Sequence, residues 1–90
     1  MKLELKKFGT TLSSRPSAKE AWSVTRAYIL SDKKPGEKIE IDFDGIEVLT
    51  PSWADEFISS LNQEYPNDVV LLPSDNASVK MSLEFVGKRE

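Results

Sequence analysis

The pattern of this chain predicts a small α/β domain of order β(β)αβαβα, a mixed, mostly parallel sheet packed by three helices. Residues 39–43 carry the first sign: Ile39, Ile41 and Phe43 alternate with Glu40 and Asp42, the period of a strand with one apolar face. Beyond the turn signal Asp44-Gly45 the period changes, and Ala54, Phe57, Ile58, Leu61 and Tyr65 fall at helical spacing. Strand-like and helix-like segments then alternate to the end of the chain, which calls for right-handed crossovers between parallel strands.

Taken in order, Leu3 and Leu5 alternate with Lys2, Glu4 and Lys6 and predict a first strand, with Phe8 as a further candidate for its apolar face. Its lysines suit a sheet edge that must not pair with other chains. Gly9 breaks it, and Thr10-Thr11-Leu12 predicts a short second strand. After a corner at residues 13–16, Ser17 and Glu20 have the spacing of a capping box. Ala18, Ala21, Trp22, Thr25, Tyr28 and Ile29 then define one face of a helix, with Trp22 in the core. The helix ends near Leu30, because Asp32-Lys33-Lys34-Pro35-Gly36 has loop composition and its lysines read as solvated charge.

The central strand leads through Ile46, Val48 and Leu49 back to the core, and the second helix starts at Pro51 or Ser52. Tyr65-Pro66-Asn67-Asp68 stops it. Residues 69–72, Val-Val-Leu-Leu, form the continuous apolar run of a strand covered on both faces, closed by Pro73. Asn76 is an N-cap for a last helix with Val79, Leu83 and Val86 on its stripe and Met81 and Phe85 widening it. Ile41, Phe43, Leu61, Val70 and Leu83 are expected to be nearly inaccessible.

The chain of 90 residues is expected to form one domain, residues 1–90. It holds neither cysteine nor histidine, which excludes disulfides, thiolate or imidazole metal sites, and Cys- or His-based catalysis. A net charge of −3 argues against nucleic acid as a partner. Gly9, Gly36, Gly45 and Gly87 are isolated, so no glycine-rich phosphate loop exists and no cofactor is expected. No apolar run approaches the ~20 residues of a membrane span, and the lysine-rich start is unlike a signal peptide. A cytoplasmic location without membrane contact is the expectation.

A strand that feeds a helix through a short polar corner places that corner where α/β sheets meet ligands and partners. Candidate function therefore concentrates on residues 50–57. Asp42-Phe43-Asp44-Gly45 has the D-x-D pattern of hydrolases with an aspartate nucleophile. Those need a metal, further acids and a lysine on a larger scaffold, so the pattern reads as a polar strand end and turn. Asp55 and Glu56 point ~100° apart on a helix, so they do not converge on one substrate atom. They complement the helix dipole, contact a partner, or tie the helix start to a neighbouring loop. Two caps are open: Thr50 with Pro51 at the first helical position, or Ser52 with Asp55 closing a box. The functional reading of these hydroxyls is a phosphoacceptor or docking group at an exposed helix start. Trp53 is either a lid over the core edge or a binding anchor.

Ser14-Arg15, Ser17-Ala18-Lys19, the segment Ile41-Asp42-Phe43-Asp44-Gly45-Ile46 and the segment from Thr50 through Trp53-Ala54-Asp55-Glu56-Phe57 together resemble the STAS-like domains of unknown function found in bacteria and their phages. Pro66 and Asn76 to Val79 fit the later part of that pattern, and the likeness runs from Gly9 to Val86. It implies a STAS-like fold and kinship with anti-sigma-factor antagonists, which switch partners when a kinase-like ATPase phosphorylates a Ser or Thr at the corresponding helix start. The D-S-(S/T)-G signature of those antagonists is replaced here by Thr50-Pro51-Ser52-Trp53.

By resemblance, the chain is a non-catalytic regulatory module that binds a kinase-like ATPase or anti-sigma-type partner. Thr50, Ser52, Trp53, Asp55 and Glu56 would face that partner, and Arg15, Asp42 and Gly45 would shape the corner. The alternative is a small-ligand or nucleotide sensor using the same corner. Nothing in the sequence sets the oligomeric state.

Overall fold

The computed structural model describes residues 1–87. Its elements are β1 (Lys2–Glu4), β2 (Thr11–Leu12), α1 (Arg15–Val24), β3 (Ile39–Asp42), β4 (Val48–Leu49), α2 (Pro51–Glu64), β5 (Val69–Leu71) and α3 (Ala77–Gly87). The order is thus ββαββαβα, with one strand, β4, more than the sequence pattern suggests. Strands β1, β3 and β5 form one sheet in the order β1-β3-β5, and β2 pairs with β4 in a second. Every pairing among them is parallel.

The two sheets are linked by a shared detour. Lys2 faces Glu40 in the first and Thr11 faces Val48 in the second, so the excursions that separate them differ by one residue. In the first chain segment the excursion is a 3-10 turn, Leu5–Phe8, where alternation had predicted continued strand. Leu5 is buried there, so the turn still serves the core. In the other it is a tight turn at residues 43–46, closed by the Ile46 amide donating to the Phe43 carbonyl at 3.1 Å. Gly45 holds φ 84° in that turn, and a Cβ there would lie 3.2 Å from Lys6 Cδ.

The sheet buries one face only. Leu3, Ile39 and Ile41 point inward and are inaccessible, with Phe43, Phe57, Ile58, Leu61 and Val79 completing the core. Helix α2 packs against both α1 and α3. The outward row carries Lys2, Glu40 and Val70 in register. This corrects the reading of β5 as covered on both faces: Val70 is 39% exposed and Leu71 40%. Parallel sheets usually need two covered faces. Here Lys2, Glu4, Glu40 and Asp42 make the outer face polar enough to meet water.

Local chemistry shifts two boundaries. The start of α1 is capped by Ser14, whose Oγ accepts from the Ser17 amide at 3.3 Å, and not by a Ser17–Glu20 box. Pro16 sits in the first turn, where its missing N–H leaves no intrahelical bond unmade. At its end α1 widens into a π turn, Thr25–Ile29, then tightens to a 3-10 turn, Leu30–Asp32. The i→i+5 turn advances the stripe by one residue. Tyr28, expected on the buried face, is 77% exposed, while Leu30 takes the core position. Trp22 is partly buried, edge-on to Phe57 at 6.1 Å.

Two further expectations change. Lys33 is no solvated loop charge: its side chain is 5% exposed, pairs with Asp68 at 2.8 Å and lies 4.9 Å from the Tyr65 ring centroid. It fastens the start of β5, where the Asp68 carbonyl accepts from the Ile39 amide at 2.7 Å. On α3, Val79 is buried and Leu83 only partly so, whereas Met81 and Phe85 face outward.

Candidate functional site

Helices α1 and α2 begin side by side because each follows one strand of the β2–β4 pair. Thr50 sets the junction. Its amide donates to the Leu12 carbonyl at 3.0 Å and its hydroxyl to the same oxygen at 3.3 Å. The hydroxyl oxygen also accepts from the Trp53 amide at 3.4 Å, which makes Thr50 the N-cap with Pro51 in the first helical position. Of the two caps left open by the sequence, this is the one formed.

From that junction Arg15, the first residue of α1, reaches across to α2. Its Nη1 lies 2.7 Å from Asp55 Oδ2 and 3.5 Å from Glu56 Oε1. Ser59 Oγ donates to the second oxygen of Asp55 at 3.2 Å. Asp55 is 3% exposed, so a charge removed from water is matched by a guanidinium and a hydroxyl. The Asp55 hydrogen bond above all raises the Arg15 pKa, and keeps the guanidinium charged. Two carboxylates expected to diverge therefore converge on one cation. They do so because one nitrogen, Arg15 Nη1, lies within reach of both.

The remaining corner residues separate. Ser52 is exposed on the first turn of α2, and its hydroxyl makes no hydrogen bond among the described residues. Trp53 points the other way. It is fully buried, stacked on Phe57 with ring centroids 4.8 Å apart, and so is neither a lid nor a binding anchor. Its Nε1 has no hydrogen-bond partner among the described residues.

Asp42 closes a turn of its own: its Oδ1 accepts from the Asp44 amide at 3.0 Å, which, with Lys2 at 3.5 Å, holds its pKa below the usual carboxylate range. Beside it lies an open cleft of ≈ 330 Å³ lined by Asp42, Gly45, Ser74 and Asn76 among others. Asn76 is fully engaged there. Its Oδ1 accepts from the amides of Ser78 and Val79, and its Nδ2 donates to the carbonyls of Ile46 and Glu47. Among the described residues no cluster of acidic side chains is placed to hold a metal ion.

A family model described as "STAS-like domain of unknown function (DUF4325)" matches residues 26–76. The chain belongs to this family. The matched span is narrower than residues 9–86, over which the motifs run, and leaves out Ser14-Arg15 and Ser17-Ala18-Lys19. It holds all of the strand β3, the corner and α2. No curated protein and no solved structure matches the chain.

In this STAS-like domain the parts that sequence reasoning missed are long-range. Asn76 was legible as a cap, but its bonds to residues 46 and 47 were not. Ser78 and Ser82 form a second latch: Ser78 Oγ accepts from the Leu49 amide at 3.1 Å and Ser82 Oγ donates to the Leu49 carbonyl at 2.7 Å. Together they fasten α3 to β4, the strand that delivers Thr50. The only signal was the presence of polar serines on an otherwise apolar helix face.

Proposed function

We infer that this STAS-like domain is a non-catalytic, cytoplasmic regulatory module that presents the start of α2 to a protein partner. A kinase-like ATPase or anti-sigma-type factor is the partner class that the family likeness suggests. The observation that carries the reading is the division of labour in the first turn of α2. Thr50 does the capping and Trp53 fills the core, which leaves Ser52 exposed with an uncommitted hydroxyl. The turn is held from both sides, by Thr50 on β2 and by Arg15 on Asp55, so a partner meets a preformed surface. The buried Trp53 drops out of that surface. Ser52, Glu56 and the exposed part of Arg15 remain.

A phosphate on Ser52 would bring about −1.5 to −2 charge to a helix N-terminus, where free N–H groups and the dipole accept it. The fold survives such a change while a docked partner is repelled. The sensor alternative gains nothing from the adjacent cleft, since Asp42 and Asn76 are satisfied internally. The test compares wild type, Ser52→Ala and Ser52→Asp in pull-downs from the source cell and in thermal melts. Ser52→Asp is expected to keep the wild-type Tm and lose a partner that Ser52→Ala retains. Equal capture by both variants would refute the proposal.

A further inference from the structure

We propose that the domain pairs with a second copy of itself through the outer edge of β5, extending the sheet across a two-fold axis. Strand β5 ends the order β1-β3-β5. The Asp68 carbonyl and the Leu72 amide bond to β3, so alternate residues 68, 70 and 72 turn toward the sheet. The N–H and C=O groups of Val69 and Leu71 therefore point away from it. The opposite edge, β1, carries Lys2 and Glu4, charges that discourage pairing. On β5 the run Val69, Val70, Leu71, Leu72 holds no charge, and Val70 and Leu71 are half open to solvent.

At the end of β5 an apolar groove of ≈ 610 Å³ opens between residues 71–74 and α3, lined by Leu71, Leu72, Val79, Lys80, Leu83 and Glu84 among others. Its charges select the occupant. Lys80 and Glu84 stand one helical turn apart on the same lip of the groove. A two-fold axis through Val70 sets the strands antiparallel, Val69 of each copy exchanging both backbone hydrogen bonds with Leu71 of the other. It also sets the two α3 helices antiparallel, the relative direction that lets Lys80 of each copy meet Glu84 of the other. A surface that is its own complement in hydrogen bonds, apolar area and charge fits an isologous dimer. None of residues 50–57 lines this edge or its groove, so self-pairing stands apart from the partner proposal.

The experiment measures the dimer dissociation constant by analytical ultracentrifugation over a wide concentration range. Wild type is compared with Lys80→Glu, Glu84→Lys and the double exchange, each melted when dilute to confirm the fold. Either single reversal turns both symmetric contacts repulsive and is expected to weaken pairing about tenfold. The double exchange restores opposite charges and returns the affinity to near wild type. A wild-type chain that stays monomeric throughout overturns the proposal, including one that instead takes up an added strand peptide. So do single reversals that pair as wild type does, or a double exchange no better than either single one.

Discussion

Asn76→Asp is a conservative change by sequence and a severe one by structure. Asp caps helices about as well as Asn, and the two N–H groups that Asn76 Oδ1 accepts from, those of Ser78 and Val79, would be served equally by a carboxylate. The other half of the amide decides the outcome. Nδ2 donates to the Ile46 carbonyl at 3.0 Å and to the Glu47 carbonyl at 2.9 Å. A carboxylate removes both donors and sets a negative charge against two carbonyl oxygens. Two lost hydrogen bonds at about 1 kcal/mol each, plus that repulsion, give a destabilisation of ~2–4 kcal/mol. Asn76→Ser keeps a capping oxygen and loses the donors without the repulsion, so it should cost ~2 kcal/mol. Urea denaturation followed by far-UV circular dichroism reads both. Amide exchange at residues 43–47 should quicken in each variant, because their latch to α3 is gone. An Asn76→Asp protein within ~0.5 kcal/mol of wild type, the range of an inconsequential surface change, would refute the latch.

The buried indole offers a second check: Trp53→Ala should cost ~3–5 kcal/mol, whereas Trp53→Phe should cost far less, because Nε1 has no bond to lose and only ring volume is removed. Urea titrations of the two variants separate these outcomes, and equal losses would mean that the N–H has a role. Acid sensitivity follows from three carboxylates with lowered pKa: Glu37 through the Lys34 amide, Asp42 through the Asp44 amide, and Asp68 through Lys33. With folded pKa values below unfolded ones, the unfolded chain binds protons first. Their contribution is complete above the ordinary carboxylate range, about 4, and is lost as pH falls below it. Tm measured against pH should decline on that side, and less steeply in Asp68→Asn; identical slopes would exclude Asp68 as a contributor.

By itself the sequence determined the elements whose causes are local. The period of residues 39–43 marks β3, the helical spacing after Pro51 marks α2, and Asn76 marks the start of α3, since each depends on neighbours within one turn or one strand. Ile41, Phe43 and Leu61 lie in the core as their periods require. Gly45 was recognisable because its turn needs a positive φ. Tying the start of α2 to a neighbouring segment was one of several roles open to Asp55, and a separation of 40 positions left Arg15 unplaced as its partner.

Tertiary structure decided what depends on direction. A π turn, invisible to a fixed helical period, put Tyr28 outside and Leu30 inside. An edge position, invisible in an apolar run, left Val70 and Leu71 half exposed. At the corner, Ser52 and Trp53 are adjacent in sequence, and their order alone does not say which of them faces a partner. Thr50's grip on β2 sets the rotation of α2, which turns Trp53 onto Phe57 and Ser52 toward solvent. Local sequence can propose a helix and its cap. The azimuth of that helix is set by contacts between segments far apart in the chain, and the exposed side chains follow from it.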